Sequence, residues 1–95
     1  MLAQDIITKV RQDFSEGDAV VILQLTELQM ENPRVFSDRI LRCIVFSAGG
    51  SFDEFACQVK LARLDWRDVI MNAEYDSDRE IRRRNFELPF AQNVA

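Results

Sequence analysis

The sequence predicts an all-α fold, a compact bundle of about five helices. Three observations carry that expectation. Breakers are scarce, with 3 Gly and 2 Pro in 95 residues, which favours helices joined by short turns. Apolar residues recur three and four positions apart, the repeat of one helix face. Recognisable start and stop residues punctuate those stretches. Two stacked α-hairpins behind an N-terminal helix are one arrangement compatible with the pattern.

The first helix is expected over about residues 3–15, where Ala3, Ile6, Ile7, Val10 and Phe14 share a face. Asp5, Lys9 and Asp13 line another face as opposite charges four apart. Gly17 reads as its stop and Asp18 as the N-cap of the next helix. That second helix runs through the apolar stretch 19–23 to Glu31 and reads as central and buried, because it is apolar nearly all round. Its Val20, Val21 and Ile22 also suit a strand, as do residues 42–47. Two strands at 19–25 and 42–47 are the main alternative to the helical reading. Length favours helices.

Asn32-Pro33 reads as a cap followed by a first helical residue, opening a third helix through Ile40, Leu41, Ile44 and Val45 to Ala48. Within it, Asp38 and Arg42 stand four apart. Gly49-Gly50 ends it. Ser51-Phe52-Asp53-Glu54 matches a capping box and starts the fourth helix, with Phe52, Phe55, Val59 and Ala62 as its stripe. Asp65 caps a fifth, whose buried face is Trp66, Val69, Ile70 and Ala73, ending at Tyr75. The charged run from Asp76 to Asn85 suggests a short exposed helix or a frayed segment. Residues 1–85 therefore form a single helical domain and residues 86–95 a tail. A faint echo at a spacing of 33 residues aligns Gly17-Asp18 with Gly50-Ser51, and Asn32-Pro33-Arg34 with Asp65-Trp66-Arg67, as in helical repeats.

The formal charge is −4, and residues 1–32 hold all of the excess acid. That balance argues against nucleic acid, whose binding depends on neutralising phosphates. It argues equally against an anionic membrane surface. No apolar stretch is long enough to span a bilayer, and the N-terminal stretch does not read as a signal peptide. Cys43 and Cys57 lie in apolar segments and read as free thiols, so the expected setting is the cytoplasm. Ten of the twelve bases are Arg, the residue best suited to bidentate, partly buried ion pairs.

Chemistry is sparse. With no His there is no usual neutral-pH acid or base, no Ser-His or Cys-His nucleophile and no His metal ligand. Asp53/Glu54 and Asp65/Asp68 are explained by helix N-termini, which favour acids. Asp76, Asp78, Glu80 and Glu87 imitate a calcium loop, but Ile81 stands where the loop needs Gly. No enzyme activity, cofactor or metal is expected.

The residues that stand out are of interaction type. Arg79, Arg82, Arg83 and Arg84 form one compact basic run. Tyr75 is of a type enriched at interfaces. Phe86, Leu88 and Phe90 fall outside any periodic pattern, and either fold back over the core or are captured by another subunit. The expected function is a non-catalytic protein-interaction or regulatory module, with those eight residues as candidate partner contacts. The alternative is an acidic inhibitor of the immunity or antitoxin type that caps a basic toxin or nuclease. A homodimer is also compatible with so apolar a short chain.

Overall fold

Three serines set where the helices begin. The computed structural model describes residues 2–76, 78 and 80–92. It contains α1 (Gln4–Asp13), α2 (Glu16–Gln29), α3 (Asp38–Ala48), α4 (Phe52–Glu74) and a final 3-10 turn at Phe90–Gln92. The side-chain oxygens of Ser15, Ser37 and Ser51 accept the backbone N–H of Asp18, Ile40 and Glu54 at 3.3, 3.4 and 3.2 Å. Each satisfies a donor that the first helical turn leaves without a partner. Among the described residues there is no strand, and 19–25 and 42–47 are both helical. The all-helical expectation holds.

Ser51 was legible as a cap, but two other starts fall elsewhere than expected. Asp18 lies inside the first turn of α2 as the donor to Ser15, and Gly17 is helical rather than a stop. Phe14, in extended backbone, ends α1. Asn32 does not open α3. Its carbonyl closes a single turn on Val35 and Phe36, which carries Phe36 into the core before Ser37 restarts the chain. The 33-residue echo fails for the same reason: helical Gly17 has no structural likeness to Gly50, which has φ +85°.

α3 is the centre of the molecule, with seven of its eleven residues buried. It pairs with α4 as a hairpin through Gly49-Gly50 and is crossed by α1. α4 bends at Asp65, whose φ and ψ of −156° and 97° are not helical. The Asp65 carboxylate accepts the N–H of Arg67 at 3.1 Å, so it caps the second half as anticipated. Val69, Ile70 and Ala73 are buried on that half, but Trp66, first after the bend, is 44% exposed rather than in the core. α2 is the larger correction. It is a peripheral helix that buries Ala19, Ile22 and Thr26 and leaves Val20, Val21 and Leu28 in solvent. Thr26 satisfies its hydroxyl on the carbonyl of Ile22 at 2.6 Å.

Among the described residues of the charged run 76–85, none is helical. Tyr75 and Arg82 form an isolated antiparallel bridge, and the N–H groups of Arg83 and Arg84 both reach the Glu74 carbonyl, at 2.6 and 3.1 Å. That reversal brings the tail back over α1 and α3. Phe86 is buried, its ring centre 5.2 Å from that of Phe46 and 5.5 Å from that of Phe90, with the planes tilted by 43° and 60°.

Gly49 and Gly50 differ in what surrounds them. Both have positive φ, but a Cβ on Gly50 would stand 2.5 Å from the Asp13 carbonyl oxygen, whereas one on Gly49 meets nothing within 4 Å. Gly49→Ala is expected to cost about 1 kcal/mol, the left-handed penalty alone. Gly50→Ala adds a backbone collision and should cost about 3 kcal/mol or more. Urea unfolding of the two variants measures the difference.

Candidate functional site

The basic run is organised around a carboxylate that the sequence did not single out. Glu74 is 0% exposed at the end of α4. It falls four residues after Ile70, on the buried stripe. Arg39, on the first turn of α3, grips it bidentately, Nε to Oε2 at 2.9 Å and Nη2 to Oε1 at 2.8 Å. Arg82 donates from Nε to Oε1 at 3.0 Å, and the N–H of Phe86 donates to Oε2 at 3.1 Å. The Cys43 thiol lies 3.9 Å from Oε2. Burial pulls the Glu74 pKa upward, but the hydrogen bonds from Arg39, Phe86 and Arg82 more than offset it, so the carboxyl sits below its ordinary value. Burial first, and the Glu74 charge second, push the Cys43 thiol up to about 12, so it stays protonated and is no nucleophile.

A second ion pair lies about one turn further along α3. Arg42 donates from Nε and Nη2 to Asp5 of α1 at 2.8 and 3.1 Å, and from Nη1 to the Phe86 carbonyl at 3.1 Å. Asp5 also accepts the N–H of Phe90 at 3.2 Å. Burial raises the Asp5 pKa, and the bonds from Arg42 and Phe90 outweigh it and bring the carboxyl below its usual range. Arg42 therefore pairs across helices with Asp5 and not along α3 with Asp38. Both pairs tie the tail to the helices. Within the tail, Phe86 is buried in this chain's own core and Phe90 packs against that core, while Glu87, Leu88, Ala91 and Gln92 are exposed.

The structure thus separates the eight candidate contacts. Arg82 is held by Glu74 and by the Asn85 side chain at 2.8 Å. The Arg84 guanidinium stacks 4.3 Å from the centre of the Phe46 ring. Phe86 is buried, Phe90 and Tyr75 are half-buried, and Arg83 and Leu88 are exposed. Arg79 lies outside the described residues. The run is no single basic face: Arg82 and Arg84 turn toward the molecule and Arg83 toward solvent.

A different surface is left open. On a helix of 3.6 residues per turn, Glu16, Val20, Gln24, Glu27, Leu28 and Glu31 fall on one side of α2, with Val21 at its edge, and all are exposed. Val20 is 55% and Leu28 57% exposed. Residues 16–32 contain Glu16, Asp18, Glu27 and Glu31 and no Lys or Arg. At its C-terminal end this face forms a shallow cleft of about 700 Å³ lined by Gln24, Glu27, Leu28, Met30 and Glu31. The acidic N-terminal third was legible in the sequence. That its apolar run faces water was not, because periodicity cannot say which side of a helix apolar on every side is covered.

Among the described residues, no cluster of three or more His, Cys, Asp or Glu is placed to hold a metal ion, and no helix is long and apolar enough to cross a membrane. Comparison with protein-family models, curated proteins and solved structures finds no match.

Three outcomes test this organisation. A carboxyl whose folded pKa is depressed stabilises fully above its unfolded value and loses that contribution as pH falls through the folded pKa. Stability should therefore be level above pH about 4.5 and fall below it, with Glu74 and Asp5 both contributing. Glu74→Gln should cost about 3 kcal/mol at neutral pH, since it leaves Arg39 and Arg82 facing an uncharged group, and should flatten the acid limb. Chemical denaturation across about pH 3–7 measures both. Thiol titration of the native protein should count one reactive cysteine, exposed Cys57, with buried Cys43 reacting only after unfolding.

Proposed function

We propose that the chain is a non-catalytic protein-interaction module, that its docking face is the outer side of α2, and that its partner presents Lys or Arg around an apolar contact. The observation that carries this reading is the exposed Val20, Val21 and Leu28 beside Glu16, Glu27 and Glu31, on a segment, residues 16–32, that contains no Lys or Arg. Exposed apolar residues grouped on one face are a feature of interaction sites. Acids around them select a positively charged partner and accelerate encounter. An inhibitor of a basic toxin or nuclease is the narrower form of the same reading. A cytoplasmic setting suits the two free cysteines.

The test places a photo-crosslinking amino acid at position 24 of the full chain in its own cells, with position 53 as control. The expected result is a discrete adduct from position 24 alone, with a protein whose crosslinked surface is basic. It should be lost when Glu27 and Glu31 are changed together to Lys, and weakened at least about tenfold by Leu28→Ser. Leu28→Ser is an exposed change expected to alter stability by no more than about 0.5 kcal/mol. Equal adducts from both positions, or an adduct indifferent to the charge reversal, would overturn the assignment.

A further inference from the structure

The tail does more than cover the core: with α1 and α3 it walls a cavity of about 550 Å³. Phe46, Phe86 and Phe90 supply its aromatic surface, and Lys9 and Arg84 stand among its lining residues. The Lys9 ammonium lies 5.7 Å from the centre of the Phe90 ring, and the Arg84 guanidinium 4.3 Å from that of Phe46. Cations over aromatic faces at a concave site hold charge beside apolar surface, the two demands of an amphiphilic ligand.

Arg84 is the distinctive member. Its Nη1 donates to the Ala73 carbonyl at 3.3 Å, and no carboxylate of the described residues lies within ion-pair distance of it. Half-buried and stacked, it keeps the donors on its other nitrogens for an acceptor that the chain does not supply. Arg39, Arg42 and Arg82, by contrast, each grip a carboxylate. The charge around the cavity fixes the ligand's own. Lys9 is shared with Asp13 at 3.3 Å, and Asp5 is saturated by Arg42 and the Phe90 N–H. Three cations against two carboxylates leave one positive charge, so a single negative charge completes the site and a second would face Asp5 and Asp13.

We propose that this cavity binds a small monocarboxylate with an aromatic body, its carboxylate on Arg84 with Lys9 nearby and its ring against Phe46, Phe86 and Phe90. A planar fork suits a planar carboxylate. The site uses no residue of α2, so it stands or falls separately from the docking face.

The probes are 3-phenylpropionate, its neutral analogue 3-phenylpropanol and phenyl phosphate at pH about 8, titrated into the full chain by amide NMR (the last a dianion there). For a ligand of that size, 3-phenylpropionate should saturate with a Kd on the order of 1 mM. Shifts should be confined to Lys9, Phe46 and the segment from Arg84 to Ala91. The alcohol and the dianion should each bind at least about tenfold more weakly. Arg84→Gln should weaken the acid about tenfold and leave the alcohol unchanged, with circular dichroism reporting its fold. Comparison of acid, alcohol and dianion on the unaltered protein keeps the test independent of that variant's folding. Equal affinity for acid and alcohol, tighter binding of the dianion, shifts centred elsewhere or no saturation by about 20 mM would each overturn the proposal.

Discussion

A carboxylate shut away from water must be matched by donors, and Glu74 is the point at which this molecule meets that demand. Removing its hydration costs several kcal/mol, which only close and well-aligned partners offset. Those partners come from three parts of the chain: Arg39 at the start of α3, Arg82 after the reversal, and the backbone of Phe86. None can leave without stranding the charge. The hairpin of α3 and α4, the bridge at Tyr75 and the entry of the tail are consequently one arrangement, and the Asp5–Arg42 pair repeats the device one turn further along α3.

This explains why the arginine run is misleading when read as a line of text. Charges adjacent in sequence suggest a common face, but extended backbone sends alternate side chains to opposite sides. Arg82 and Arg84 turn toward Glu74 and Phe46, while Arg83 turns out. Interior ionic contacts hold Arg39, Arg42 and Arg82, whereas α2 carries Glu16, Asp18 and Glu27 with no Lys or Arg of its own.

Much of the architecture was legible in local chemistry. The apolar stripes of α1, α3 and both halves of α4, the glycine stop after Ala48, the Ser51 start and the Asp65 cap are encoded within a few residues of where they act. What was not legible is long-range. A competing pair of start signals, such as Ser15 against Asp18 or Asn32 against Ser37, is settled by which large side chain must reach the core, and Phe36 decides the second. Arg42 has an acid four residues before it and chooses one 37 residues away, because only the latter is brought beside it by packing. For the candidate surfaces, the acidity of α2 was visible and its exposure was not. Glu74 could have been noticed as an acid standing on an apolar stripe.

The bond from the Phe90 N–H to Asp5 joins residues 85 positions apart. A contact of such span closes a loop that takes in all four helices, and its entropic cost must be met before it contributes anything. During synthesis the first helix emerges long before its carboxylate can acquire its final donor, and Glu74 likewise waits for Phe86. The helical hairpin can gather early, but the aromatic-walled cavity cannot exist until the chain has been made through Ala91. Whatever occupies it meets a chain whose four helices are already in place.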